Sequence, residues 1–148
     1  MKYVQSRPGM LFSAATLLED FDWASAKTVV DVGGGTGSMC AELVRKHPSI
    51  HCTVQDLASA IEVGRETIEE YVSSRINFME HNFFNEQPVK NADVYLLRVV
   101  LHDWPDGKAI EILKNLIPAL KDGANIVLQE IVIPPQGVLP PYHEKTIR

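Results

Sequence analysis

The sequence has few cysteines, no excess of basic residues and no long apolar segment. Only two cysteines, Cys40 and Cys52, occur in 148 residues, and both lie in apolar runs, so we expect buried free thiols rather than disulfides. A formal net charge of −5 argues against nucleic-acid and membrane partners, because anionic phosphate groups attract basic surfaces. No stretch approaches the ~20 apolar residues of a membrane span. Residues 1–10 also lack the apolar core of a secretory signal, so we expect a cytoplasmic protein.

Metal ligands and hydrolytic nucleophiles are equally scarce. The cysteines and histidines lack the spacing of a zinc site, and no cluster of carboxylates indicates a divalent cation. No serine lies in a nucleophile elbow. We therefore expect no metal and no serine hydrolase chemistry.

Apolar runs alternate with amphipathic runs along the chain, a pattern typical of a parallel sheet with crossover helices. The fold class is therefore α/β, a doubly wound sheet that binds its ligand at the carboxyl ends of the strands. The five predicted strands cover residues 27–32, 50–55, 75–80, 92–100 and 124–133. The predicted helices cover residues 9–18, 36–46, 57–71 and 106–120.

A glycine-rich loop, Asp31–Gly37 (DVGGGTG), follows the first predicted strand and opens a helix. Glycines let the backbone turn tightly and let a ligand approach it closely. The dinucleotide fingerprint G-x-G-x-x-G fails because Ser38 stands at its last glycine. The Asp31 carboxylate suits a cationic ligand group and would repel a pyrophosphate. The loop therefore favours S-adenosylmethionine, which carries an ammonium group, over NAD.

Two more polar positions follow predicted strands. Asp56 can accept both hydroxyls of a ribose or can cap the next helix, and the two roles are compatible. His102 is well placed for a general base because imidazole exchanges protons near neutral pH. Glu130 and Asp103 are candidates for orienting its ring. A lone histidine in a loop is, however, more often structural, and Asp103 could instead cap the helix near Pro105.

Together these motifs resemble the S-adenosylmethionine-dependent O-methyltransferases of the caffeate/hydroxyindole type, especially fungal members that act on polyketides and other phenolic metabolites. The combination of the triple-glycine loop with the HDW segment is highly specific. The resemblance implies a Rossmann-like class I methyltransferase sheet. The matching segments are VVDVGGGTG at 29–37, VQDL at 54–57, NADVYLLRVVLHDWPD at 91–106, ILKNLIPAL at 112–120 and IVLQEIVIP at 126–134.

The resemblance implies a set of cofactor contacts. Asp56 of the QDL motif holds the ribose, with Leu57 beside it. Asn82, which stands where the family usually has Asp, and Phe83 frame the adenine. Arg98, the basic residue before HDW, also contacts the cofactor. The methionine part is held by the loop glycines Gly33, Gly34, Gly35 and Gly37.

The resemblance also implies an activity. His102 deprotonates a phenolic hydroxyl of a small substrate, the oxygen attacks the cofactor's methyl group, and Glu130 matches one of two acids that flank the base. We assign residues 1–26 to a helical lead-in, 27–133 to the S-adenosylmethionine-binding methyltransferase domain and 134–148 to a proline-rich tail.

Three features of the family have no counterpart in this sequence. Its members are usually homodimers joined by an N-terminal winged-helix region, which is absent here. The second acid and a C-terminal antiparallel hairpin are also missing, so we expect a truncated sheet. One alternative is therefore a truncated, catalytically inactive cofactor-binding fragment. A second alternative, an NAD(P)-dependent oxidoreductase, has much less support.

Overall fold

The computed structural model describes residues 2–5, 18–19 and 21–130. Its centre is one sheet of six parallel strands in the order β1-β6-β5-β2-β3-β4. From β2 the chain builds outwards through β3 and β4, and it then returns to the other side of β2 to add β5. The strand order thus switches between β2 and β5, which is where such sheets bind ligands. The strands are β1 (Lys2–Gln5), β2 (Thr28–Val32), β3 (His51–Asp56), β4 (Ile76–Glu80), β5 (Val94–Arg98) and β6 (Asn125–Glu130).

Helices connect the strands, and short 3-10 turns lie before or after them. The helices are α1 (Ser38–Lys46), α2 (Ala58–Thr67), α3 (Glu70–Ser73) and α4 (Asp106–Leu116), and the 3-10 turns are Trp23–Ser25, Leu101–Asp103 and Ile117–Ala119. None of the described helices is long and apolar enough to cross a membrane.

The five predicted strands are confirmed, and the structure adds one that the sequence did not predict. Strand β1 pairs with β6 and occupies part of the segment 1–26 that we expected to be helical. The prediction failed because four residues, KYVQ, carry little local signal, and the strand forms through a pairing distant in sequence. Most of the predicted helix over 9–18, the end of the last predicted strand and the tail 134–148 lie outside the described residues.

One predicted helix is divided in two, and another ends earlier than expected. The helix predicted over 57–71 is divided into α2 and α3 because Ile68 and Glu69 adopt extended backbone angles. The helix predicted over 106–120 ends as α4 at Leu116, and Pro118 lies in the 3-10 turn that follows. Proline lacks the amide hydrogen that a continuing α-helix needs.

The core lies on both faces of the sheet, as a near-continuously apolar central strand requires. On β5, Leu96 belongs to the core on one face, whereas Tyr95 and Leu97 belong to the core on the other. All three side chains are fully buried. Because both faces are packed, the strand ends are held in fixed positions, and side chains at those ends can form a preorganised site.

The close contact between α2 and β4 gives a test of this packing. A Cβ added at Gly64 would lie 2.5 Å from the Phe78 ring and 3.0 Å from the Thr36 carbonyl oxygen. We expect Gly64→Ala to lower the free energy of unfolding by about 1–3 kcal/mol, measured by urea denaturation. Gly107→Ala is the matched control, because a Cβ there meets no atom within 4 Å. It should leave stability unchanged or raise it, and equal losses in the two variants would contradict the packing.

Candidate functional site

The candidate site lies at the carboxyl edge of the sheet, where the loops that follow β2, β3, β4 and β5 meet the end of β6. The glycine loop rests on the end of β3. Gly33 and Gly34 donate their amide hydrogens to the carbonyl oxygen of Gln55, at 2.8 and 3.0 Å. Gly35 donates to Oδ2 of Asp56 at 2.8 Å. Neighbouring residues of β3 therefore hold three successive amides of the loop.

An added Cβ would crowd a neighbouring side chain at three glycines of the loop, and at Gly33, where φ is +73°, the neighbour is a Val100 methyl group 3.0 Å away. A Cβ at Gly34 would lie 2.7 Å from the carboxyl group of Asp31. Gly37 has a φ of +82°, in the left-handed region, and a Cβ there would lie 3.1 Å from the Phe78 ring. The glycines thus allow the tight turn predicted from the sequence, and they leave room for the Asp31 and Phe78 side chains beside the loop.

Asp31 lies fully buried at the base of the loop, with 1% of its surface exposed. Its Oδ2 lies 3.5 Å from the Cys40 thiol, whereas Oδ1 has no hydrogen-bond partner among the described residues. Burial raises the pKa of this carboxyl to about 6, and the charge of Arg98 opposes that rise. The free oxygen can accept a hydrogen bond from a cationic group. Cys40 and Cys52 are buried and free, as predicted.

Both carboxylate oxygens of Asp56 accept hydrogen bonds from backbone amides. Besides the amide hydrogen of Gly35, Asp56 accepts that of Leu57 on Oδ1 at 2.8 Å. Leu57 itself occupies the N-cap position of α2, without a capping side chain, so the helix-capping alternative for Asp56 does not apply. The Leu57 side chain is 58% exposed, so a ligand at the end of β3 could reach it.

An aromatic cluster follows β4. Phe83 lies against Gly33, since a Cβ there would be 3.6 Å from its ring. Phe83, Phe84 and Trp104 meet edge to face, with centroids 4.7 Å apart for Phe84 and Trp104. Oδ1 of Asn82 accepts the amide hydrogen of Phe84 at 3.0 Å. The Asn82 oxygen therefore supports the local turn, and its amide nitrogen can donate to a ligand.

His102 lies between two carboxylates. Its Nδ1 is 3.0 Å from Oε2 of Glu130, and its Nε2 is 3.2 Å from Oδ1 of Asp103. Oε1 of Glu130 also accepts the amide hydrogens of Val100 and Leu101, at 3.0 and 2.7 Å. The structure thus brings together the three residues that the sequence proposed for catalysis. Glu130 fixes both the ring and the turn that carries it.

Val99 produces the reversal that brings these amides to Glu130. Its φ is +57°, a left-handed conformation that is an outlier for a β-branched residue and costs on the order of 1–3 kcal/mol. Its amide hydrogen bonds to the carbonyl oxygen of Gln129 at 2.8 Å. Arg98 donates through Nε to Oε1 of Gln129 at 2.8 Å. Val99 therefore lies between two features of the site: the hydrogen bond from Arg98 to Gln129 and the turn that carries His102.

Four contributors to the site were not found from the sequence. Val99 carried no signal, because β-branched residues are ordinary at strand ends. The other three are buried glutamines, and only their position in otherwise apolar or motif-rich segments could have drawn attention to them. They are Gln55, Gln87 and Gln129. The described residues contain no group of three or more His, Cys, Asp and Glu side chains that could hold a metal.

The buried Asp31 carboxyl predicts a pH dependence of stability. Because its folded-state pKa of about 6 lies above the ordinary 3.8, the folded protein holds this proton more tightly than the unfolded chain. Asp31 therefore makes the free energy of unfolding fall as pH rises from about 4 to 6. We expect Asp31→Asn to be the more stable protein at pH 7, by up to about 3 kcal/mol.

Urea denaturation of both proteins between pH 4.5 and 7.5 measures this difference. Glu62→Gln, which removes an exposed carboxyl of α2, is the control and should show no such pH-dependent difference. A stability gap between Asp31→Asn and the parent protein that stays constant across this range would contradict the prediction.

Comparison with known proteins identifies the family of this chain. A family model described as "O-methyltransferase domain" matches residues 5–145. The O-methyltransferase VdtC of Byssochlamys spectabilis is 43% identical over 155 residues, which cover 100% of this chain and 35% of that protein. The O-methyltransferase AMT9 of Alternaria alternata is 42% identical over 131 residues, covering 88% of this chain and 30% of that protein. The chain thus spans about a third of the length of these curated relatives.

Solved structures give the same result. Human N-acetylserotonin methyltransferase in complex with S-adenosylmethionine superposes with a TM-score of 0.78 at 28% identity, covering 90% of this chain and 38% of that chain. LepI in complex with the same cofactor superposes with a TM-score of 0.71 at 34% identity, covering 92% and 34%. The fold is therefore the Rossmann-like fold of class I methyltransferases, and the chain belongs to the O-methyltransferase domain family.

Proposed function

We propose that this chain is the S-adenosylmethionine-binding part of an O-methyltransferase that methylates a hydroxyl group, phenolic or polyketide-like, of a small secondary metabolite. The observation that carries the proposal is the His102 ring held 3.0 Å from Glu130 at the same sheet edge as the glycine loop. A base fixed beside a loop that can hold a nucleoside is the arrangement that methyl transfer to a hydroxyl requires.

The residues present fit this cofactor. The free Oδ1 of Asp31 would receive the ammonium of its methionine part, and the open side of Gly35, where an added Cβ would meet no atom within 4 Å, would allow that part to approach. Asp56 would accept from the ribose hydroxyls, while Leu57, Phe83 and the amide of Asn82 border the adenine. Arg98 would contact the cofactor from the end of β5. When bound, the cofactor supplies an electrophilic methyl group.

His102 would act as the base through Nε2. Its Nδ1 faces Glu130, which accepts a hydrogen from it and fixes the tautomer. In the arrangement described, Nε2 faces Asp103, a contact that suits the imidazolium formed after proton transfer, whereas the base begins as neutral imidazole with a lone pair on Nε2. Asp103 is 70% exposed and can turn aside, which frees Nε2 to take a proton from the substrate. Asp103 would then stabilise the charged ring after proton transfer.

The substrate and partners are also proposals. The fungal relatives include a protein of Cladonia grayi named as the O-methyltransferase of a grayanic acid biosynthesis cluster, which supports a small secondary metabolite as substrate. A homodimer of the full-length enzyme and a cytoplasmic location are predictions from the sequence. One similar structure, at 34% identity, is described as a pericyclic reaction enzyme, so cofactor binding and methyl transfer need separate experiments.

Cofactor binding is tested with S-adenosylhomocysteine, which retains the ammonium group, by titration calorimetry. We expect binding to weaken up to about tenfold per pH unit below pH 6, because protonation of Asp31 removes the negative charge that meets the ammonium. Asp31→Asn should bind more weakly at pH 7, although it is the more stable protein, and its affinity should not change with pH in this range. Undetectable binding by the parent protein would refute the proposal, and binding of NADH instead would favour an oxidoreductase.

Methyl transfer is tested with labelled S-adenosylmethionine and a panel of phenols. We expect His102→Ala to lower kcat by about 10²–10⁴-fold, the usual contribution of a general base, with little change in S-adenosylhomocysteine affinity. Glu130→Gln should lower kcat to a lesser extent, because the amide still holds the turn. His51→Ala, an exposed histidine at the opposite end of β3, is the control. Cofactor binding without any turnover would favour the inactive-fragment alternative.

A further inference from the structure

Gln87 and Gln55 form a buried amide pair beneath the site. Each side chain donates through Nε2 to Oε1 of the other, and both hydrogen bonds are 2.8 Å long. Both residues are 1% exposed. Oε1 of Gln87 also accepts the amide hydrogen of Val89 at 3.0 Å. Neither the glycine loop nor the HDW segment accounts for this pair.

The pair is anchored on the residue that supports the glycine loop. The carbonyl oxygen of Gln55 is the acceptor for Gly33 and Gly34, and the next residue, Asp56, accepts from Gly35. The hydrogen bonds of the Gln55 side chain therefore hold the end of β3 in place, and this strand end accepts the hydrogen bonds of the loop amides.

The pair also holds the aromatic segment that faces the loop. Residues 81–93 form neither helix nor strand, so side chains must supply their attachments. The backbone amide of Gln87 donates to the Asn115 carbonyl oxygen at 3.0 Å, and Nδ2 of Asn115 donates to the Phe83 carbonyl oxygen at 3.2 Å. Through these contacts, Gln87 and α4 keep Phe83 against Gly33.

We propose that Gln87 is a positioning residue for the cofactor: its amide pair with Gln55 joins the aromatic segment after β4 to the strand end that carries the glycine loop. This proposal rests on the proposed function, since the ligand is S-adenosylmethionine or its product. Gln87 touches no reacting atom. It sets affinity by keeping the two walls of the cofactor site at a fixed separation before the ligand arrives.

We expect a large effect on cofactor affinity because removing one amide of the pair takes hydrogen bonds away from the other, which stays buried. Replacing Gln87 by methionine, which has a similar shape, removes the donor to Oε1 of Gln55 and leaves Nε2 of Gln55 with only the Met79 sulfur, at 3.4 Å. The strand end or the aromatic segment must then move to let water reach them. Replacing both glutamines removes both side-chain amides and leaves two apolar side chains of similar volume, so that only the Val89 amide hydrogen loses its acceptor.

Three variants and one control test the proposal in the same calorimetric titration with S-adenosylhomocysteine. We expect Gln87→Met and Gln55→Met each to weaken binding by about tenfold. The double variant should lose much less than the product of the two single losses, which shows that the two side chains act as a pair. In turnover, the KM for S-adenosylmethionine should rise for Gln87→Met, while the KM for the phenol stays unchanged.

Tyr95→Phe is the matched control. The Tyr95 hydroxyl lies 2.8 Å from the Val89 carbonyl oxygen and 2.9 Å from that of Ala119, so it anchors the far end of the same segment. We expect it to lower Tm but to leave affinity within about twofold of the parent protein, since a buried hydroxyl contributes mainly to stability.

Two results would overturn the role of Gln87. One is parent-like affinity in Gln87→Met, and the other is an equal loss in Tyr95→Phe at an equal loss of Tm. If the parent protein itself does not bind S-adenosylhomocysteine, the proposed function fails as well. The two failures are therefore distinguished by the parent titration.

Discussion

The carbonyl oxygen of Gln55 is the point on which the site depends. It accepts hydrogen bonds from Gly33 and Gly34, and it can do so only because β2 and β3 pair in parallel and end together. The register that places Val32 beside Gln55 brings the loop that leaves β2 over the end of β3. Every other cofactor contact that we propose is placed relative to this crossing.

On the other side of the switch point, one group again accepts hydrogen bonds from several donors. Glu130 accepts hydrogen bonds from Val100, Leu101 and His102, so a single carboxylate both shapes the turn and orients the ring. The left-handed backbone of Val99 is the conformational cost of that turn. Strain of this kind persists where surrounding contacts determine the conformation, and here the amides that converge on Glu130 provide them.

Under the proposed function, the Asp31 carboxylate lowers folding stability but favours cofactor binding. Its burial raises its pKa to about 6, so the ionised form destabilises the folded protein near neutral pH. Burying a carboxylate oxygen without a hydrogen-bond partner costs free energy, and a cation bound beside it would offset that cost. In the function that we propose, the same deprotonated group is unfavourable for the free protein and favourable for the complex, so ligand binding and folding stability should respond to Asp31 in opposite directions.

The sequence by itself determined the fold class of this protein and the edge of the sheet at which its polar residues meet. Strand and glycine patterns predicted the α/β sheet, and the positions of Asp31, Asp56, His102 and Glu130 after strands predicted one common edge, because the carboxyl ends of parallel strands meet there. Only the tertiary structure decided which groups pair. Strand β1, the contact of Asp103 with the ring, the left-handed Val99 and the Gln55–Gln87 pair all depend on neighbours distant in sequence or on backbone angles that those neighbours impose. Such arrangements leave no periodicity in the chain, since hydrogen-bond pairing in a core is set by the packing of whole elements rather than by local residue preference.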